Sequence, residues 1–427
     1  MENTIDNITQ KLQERFKAFT QSIEDERLQF LFEKCFYNTL QTTVRIIKNE
    51  VFVITGDIDA MWLRDSSAQI KHYIPYASEI IELQQIIEGV IRRQIKYINH
   101  DPYANAFNEY ENSKGHNDIT KSSPLVWERK YEIDSLCYPV WIAYLYYKNT
   151  GKKTIFTKDF YDALVKIINV FKIEQNHKED SSYSFQRLNC PQSDTLSNEG
   201  KGTPIGYTGM TWSGFRPSDD ACQYGYLIPA NMMASVILGY IEEISREYYM
   251  NSVLAKEAST LKNQIVEGIE KYGIVNHPQY GKIYAYETDG LGNYNLMDDA
   301  NVPSLLSIPY IGYAKNDDVI YQNTRKFILS KDNPYYYEGK YAKGIGSPHT
   351  PHGYVWHIGL IMQGLTSNND YEKNEVLKYI LQTDAGTGFM HEGFNPDDPS
   401  EYTRSWFAWA NSIFSELLIE KIVEPEA

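Results

Sequence analysis

Acids, arginines, histidines and aromatics gather in six short clusters along this chain, and the intervals between them constrain the fold more than any other feature. The clusters centre near Asp59, Asp134, Arg216, Asp299, His352 and Phe394. Each interval is long enough for two helices and their connections. Six helical hairpins arranged around one axis would place one set of loops together at one end. No internal repeat relates the hairpins, so this reading rests on spacing. A general α-helical globule with scattered polar loops is the alternative.

Between the clusters the helical period dominates. Ile5, Ile8, Leu12, Phe16 and Phe19 recur at three and four residues and predict an opening amphipathic helix. Further helices are expected over 67–76, 80–99, 133–149, 158–176, 220–247, 252–273, 317–329, 356–363, 372–384 and 407–420. Alternation is confined to short runs, the best being Lys282 to Tyr286 ahead of an Asp289-Gly290 turn. No stretch rich in Pro, Gly or Ser marks a boundary, so one domain over 1–427 is expected. The formal net charge of −15 argues against nucleic acid and anionic membrane as partners. No apolar run is long enough to span a bilayer, and the first residues lack a secretion signal. Cys35, Cys137, Cys190 and Cys222 are scattered and form no CxxC pair, which fits reduced thiols and a cytoplasmic protein.

The densest cluster runs from Thr55 to Gln69 and crowds Asp57, Asp59, Trp62, Arg64 and Asp65 behind a glycine turn. Charge stays ionised under partial burial only when paired and hydrogen-bonded. Carboxylates that accept from hydroxyl pairs, an arginine fork and a flat indole face are what a sugar-binding pocket needs. The plainer reading is a solvated acidic loop with one core tryptophan. Glu132 and Asp134 precede an apolar run and are equally well read as helix-capping acids or sugar contacts. In Trp212-Ser213-Gly214-Phe215-Arg216-Pro217-Ser218-Asp219-Asp220, Ser218 reads as an N-cap with both acids in the following first turn, yet Arg216 and Trp212 exceed what a cap requires. A helix N-terminus lowers a carboxyl pKa, so a general acid at Asp220 would need burial or Asp219 to raise it. Asp298, Asp299 and Asn301 repeat the paired-acid theme. His349, His352 and His357 lack the spacing and cysteine partners of a metal site, so structural or hydroxyl-bonding roles are expected. Glu392, between His391 and Gly393 and past a glycine-rich turn, reads as an outward, loop-held carboxylate. Arg404 and Trp406 offer further pocket walls, whereas Phe407 and Trp409 read as core.

The runs Thr55–Gln69, Ser213–Asp220, Asp298–Ser304 and Ser347–Thr350 together resemble glycoside hydrolase family 125, over essentially the whole chain. The resemblance implies an all-α (α/α)6 barrel with short β-hairpin insertions, and an inverting exo-α-1,6-mannosidase needing no metal or other cofactor. It implies a mannose-containing N-glycan-type oligosaccharide as partner and substrate, with Asp220 matching the general acid and Glu392 the general base. The remaining motif residues, Asp57, Asp59, Trp62, Arg64, Asp65, Glu132, Asp134, Trp212, Arg216, Asp298, Asp299, Asn301, His349, His391, Arg404 and Trp406, are then candidates for binding substrate. A monomer or weak homo-oligomer is expected. Inverting hydrolysis needs a protonated carboxyl and a carboxylate on opposite faces of one sugar, which distant loops of a barrel mouth can supply and sequence neighbours cannot. Other α/α-barrel glycosidases, a glycoside phosphorylase, a metal-dependent mannosidase and a catalytically inactive mannoside-binding protein are the alternatives.

Overall fold

Two kinds of helix build the computed structural model, which describes residues 2–423. The first kind is buried around its whole circumference: every residue over 63–70, 133–143, 228–235, 357–362 and 407–418 is buried, polar side chains such as Arg64, Asp65 and Gln69 included. A helix with no solvent-exposed face over these stretches sits inside the molecule. The second kind keeps an exposed polar face, as in Glu26–Thr42, Ile81–His100, Lys158–Glu174, Ser252–Tyr272 and Asp370–Thr383.

The inner helices pack side by side. His357–Leu365 lies against Ala408–Val423, which lies against Leu63–Lys71, then Ile133–Thr150, then Ile228–Glu247. The outer helices back them: Glu26–Thr42 on Ala408–Val423, Ile81–His100 on Ile133–Thr150, Ser252–Tyr272 on Ile228–Glu247, and Asp370–Thr383 on His357–Leu365. The turn-rich segment 302–313 touches three inner helices, reaching Leu63–Lys71 through the Lys71 ammonium, 4.4 Å from the Tyr310 ring centre. Tyr138 Oη donates to the Val302 carbonyl at 3.0 Å, the Tyr310 ring meets Trp141 edge-on at 5.5 Å, and Tyr310 Oη donates to Glu416 at 3.0 Å. The molecule is thus mostly helical. Among the described residues no helix is long and apolar enough to cross a membrane.

The strands are short and antiparallel. Val44–Ile47 with Glu50–Val53, Ile274–His277 with Gly281–Tyr284, and Tyr336–Glu338 with Lys343–Ile345 form hairpins. Two-residue strands stand directly before inner helices: Met61–Trp62, Tyr226–Leu227 and Val355–Trp356 each run straight into the helix that follows. Their pairing with Ala106–Phe107, Glu287–Thr288 and Gly393–Phe394 ties distant loops to the helix starts.

Most expected helices are present within a few residues of their predicted ends, and the opening one spans Glu2–Ser22. Three readings need correction. The helix expected from Asp220 begins at Ile228, because Pro217 and a left-handed Asp219 (φ 67°) force a tight turn that the Phe215–Ala221 bridge closes. Ser218 is therefore no N-cap. The helix expected from Ser67 begins at Leu63, which puts Arg64 and Asp65 in its first turn. The strand at Gly281–Tyr284 pairs backwards with Ile274–His277, while the Asp289-Gly290 turn joins Glu287–Thr288 to Tyr294–Asn295.

Candidate active site

At the starts of three inner helices lies a pocket of about 150 Å³. Trp62, Arg64 and Asp65 enter it from the first helix start, Asn301, His349 and Trp356 from the 299–356 loops, and Glu392, Arg404, Phe407 and Trp409 from the last loops. Thr55, Ile58, Pro217, Ser218 and Asp219 complete the wall. This volume is well below the roughly 300–1,000 Å³ of a site for a drug-sized ligand, and suits a single sugar ring.

Arg64 organises one side. It is buried, its Nε donates to the Pro217 carbonyl at 2.9 Å, and its guanidinium lies 5.7 Å over the Trp409 ring. Four carboxylates surround it: Asp219 at 3.1 Å, Asp65 at 3.3 Å, Asp134 at 3.6 Å and Glu132 at 3.7 Å. One guanidinium cannot neutralise three buried acids and the partly exposed Asp219, so the cluster holds protons. Burial pushes Glu132 well above the usual carboxyl range, and Arg64 only partly offsets it against the like charges of Asp219 and Asp134. Burial likewise lifts Asp134 to about 7, and neither of its oxygens has a hydrogen-bond partner. Burial raises Asp65 too, against Arg64 and Arg404. Asp219 goes the other way. Burial alone would raise it, but Arg64, a hydrogen bond from Glu132 and the charge of Lys130 hold it well below the usual range. An ionised Asp219 in the wall can accept hydroxyls.

On the opposite side Arg404, also left-handed (φ 50°), is fixed by its own contacts. Nε donates to both Asp57 oxygens at 3.0 and 3.2 Å, Nη2 donates to Thr55 Oγ1 at 3.1 Å and to Asp57, and the guanidinium lies 4.4 Å over Phe407. Its Nη1 faces Glu392 Oε1 at 3.8 Å. The two loops meet so closely that a Cβ on Gly56 (φ 127°) would sit 2.3 Å from the Trp406 carbonyl. Phe407 and Trp409, expected as core, thus carry the two pocket arginines on their faces.

His349 contacts Asp220 and lies within the field of Glu392. Its Nδ1 lies 3.2 Å from Asp220 Oδ1. Burial would lower its pKa, but the hydrogen bond and charge of Asp220, with the charges of Glu392 and Asp219, push it up to about 9. Asp220 is 4% exposed and receives Ser218 Oγ at 3.4 Å. It sits in the 215–221 turn and not on a helix. Glu392, 7% exposed, faces into the pocket rather than outward.

Several candidates support the pocket without lining it. Asp57 holds Arg404. Asp59 is exposed and pairs with Arg45 at 2.7 Å, outside the pocket, because Ile58 takes the inward position. Glu132 and Asp134 stand behind Arg64. Trp212 is core, stacked on His177 at 3.5 Å, with Gly225 against its edge. Arg216 is spent on Glu287 at 2.6 Å, a partner without a signal in the sequence. Asp298 accepts from the Leu305 and Leu306 N–H groups, and burial lifts it to about 8 against those bonds. Asp299 holds Asn301 at 3.1 Å, and burial also raises its pKa against Arg216. His391 is buried and stacked on Tyr402 at 3.8 Å. Trp406 packs against Gly56, outside the pocket lining. Among the described residues no group of three or more His, Cys, Asp or Glu is arranged to hold a metal ion.

Comparison with known proteins places this arrangement. A structure of the Streptococcus pneumoniae member of a family of metal-independent α-mannosidases, in a non-productive complex with α-1,6-mannobiose, superposes with a TM-score of 0.94. It is 46% identical and covers 100% of this chain and 99% of that one. The meiotically up-regulated gene 157 protein of Schizosaccharomyces pombe is 39% identical over 96% of this chain and 86% of its own length. A glucoamylase from Saccharomycopsis fibuligera, 12% identical with a TM-score of 0.55 over 96% of both chains, shares the fold alone. The sequence profile of the family described as metal-independent alpha-mannosidase (GH125) matches residues 25–419, and the chain belongs to that family of glycoside hydrolases.

Proposed function

We propose that this α-mannosidase is an inverting, exo-acting enzyme that removes terminal α-1,6-linked mannose from N-glycan-type oligosaccharides. Asp220 is its general acid and Glu392 its general base. The observation that carries the reading is His349, a pocket-wall imidazole in contact with Asp220 and within the field of Glu392, two acids from distant loops. In the reaction Glu392 takes a proton from water as its oxygen attacks C1, and Asp220 protonates the departing glycosidic oxygen. A pocket for one ring supports exo action, and the α-1,6-mannobiose held by the Streptococcus pneumoniae relative supports the linkage. Five inner helices in lateral contact, with 302–313 in the remaining place, support one (α/α)6 barrel as a single catalytic domain. The free thiols at Cys35, Cys137, Cys190 and Cys222 support a reducing, cytoplasmic setting.

Proton NMR of α-1,6-mannobiose hydrolysis tests the reading. β-Mannose must appear first, and initial α-mannose overturns inversion. Asp220→Asn must abolish turnover while the variant still binds mannose; turnover near the wild-type rate removes Asp220 from the acid role.

A further inference from the structure

Glu392 presents its two oxygens to different neighbours. Thr403, from the returning loop, pairs with the next residue: its N–H donates to the Gly393 carbonyl at 2.8 Å, and the Gly393 N–H donates to Thr403 Oγ1 at 3.0 Å. A threonine hydroxyl has one proton to give. The Gly393 carbonyl lies 3.3 Å from Oγ1 and is already served by the Thr403 N–H, whereas Glu392 Oε2 lies at 3.0 Å. A charged acceptor wins such a choice, so the Thr403 proton points at Oε2. The backbone here is closely packed: a Cβ on Gly393 would meet Thr350 Oγ1 at 3.1 Å and Trp356 Nε1 at 3.2 Å. Oε1 is left facing Arg404 Nη1 at 3.8 Å, too far for a direct hydrogen bond and suited to a bridging water.

We propose that Thr403 is the positioning residue of the general base, locking Glu392 Oε2 so that Oε1 alone takes the proton of the attacking water, which Arg404 Nη1 helps to orient. This rests on Glu392 as base. In the step, the water oxygen bonds to C1, its proton passes to Oε1, the glycosidic bond breaks, and the leaving oxygen takes the Asp220 proton.

Thr403→Val, which keeps the shape and deletes the hydroxyl, is expected to lower kcat on α-1,6-mannobiose about ten- to a hundredfold, the size of one hydrogen bond to a charged group, with KM within about twofold. The acidic limb of the kcat profile should move to higher pH, because a carboxylate that loses a donor protonates more readily. Thr403→Ser should restore both. Thr403→Ala repeats the deletion without a branched methyl facing the Gly393 N–H, and calorimetric mannose binding reports an intact pocket. An unchanged kcat and limb in Thr403→Val and Thr403→Ala, no recovery in Thr403→Ser, or mannose affinity lost in step with kcat would each overturn the inference. Glu392→Gln separates the two claims. If it is inactive while Thr403→Val behaves as wild type, only the positioning role falls, and if it turns over normally the base itself is misassigned.

Discussion

Arg64→Met replaces the centre of the buried charge cluster with an apolar chain of similar length. Asp219, Asp65, Asp134 and Glu132 stand 3.1–3.7 Å from the guanidinium, and the Pro217 carbonyl accepts from it at 2.9 Å. Removing one side of a buried charge pair typically costs about 3–5 kcal/mol, because the partner stays buried and uncompensated. With an unfolding entropy near 2.1 cal/mol/K per residue, 427 residues give about 0.9 kcal/mol/K, so Tm should fall by about 3–6 °C at pH 7.5. The sign of the pH dependence follows from the acids. Asp134, pushed up by burial to about 7, and Glu132, pushed by burial well above the usual carboxyl range, bind protons in the folded state that the unfolded chain has already released. At pH 5 Asp134 is neutral and Arg64 offsets fewer charges, so the fall in Tm should shrink. Scanning calorimetry at both pH values reads the difference. An equal loss at pH 5 and pH 7.5 would mean that Arg64 acts by packing, and no loss at either would refute the charge argument.

His349→Asn removes the cation beside Asp220; the alkaline limb of kcat/KM, set in the wild type by a pair whose imidazole titrates near 9, should move to lower pH, as read from initial rates between pH 5 and 10. The same imidazole, raised above its ordinary value, contributes stability that is complete below about pH 6.5 and lost as pH rises through about 9, so thermal melts of the wild type should decline across that window more than those of the variant. Gly56→Ala places a Cβ against the Trp406 carbonyl in a backbone conformation alanine avoids; a cost of about 1–3 kcal/mol and a loss of kcat should appear in melts and rates, since the Arg404 loop must shift. Chelator should leave the mannosidase rate unchanged, and a rate that fell with EDTA and returned with a divalent cation would contradict the family description.

The helices were legible because their period is local. The residues that contact one another around the pocket are not local, and that is where reading the sequence fell short. Asp219 and Asp220 are adjacent and chemically alike, and no pattern tells which one Arg64 captures; the left-handed turn at Asp219 decides it by sending one side chain to Arg64 and the other to His349. A run such as Pro-Ser-Asp-Asp reads as a helix start because caps and tight turns prefer the same residues, and only the Tyr226–Leu227 strand, paired with Glu287–Thr288, shows that the helix must wait until Ile228. Charged and aromatic residues stood out from their neighbours, yet composition could not say which face the ligand and which hold up those that do. Asp57, Glu132, Asp134 and Arg216 serve other polar groups and not the ligand: Asp57 pairs with Arg404, Glu132 and Asp134 stand against Arg64, and Arg216 pairs with Glu287. Thr403 carried the opposite signal, a common residue whose single proton is free for Glu392 Oε2 because the Gly393 carbonyl is already served by the Thr403 N–H.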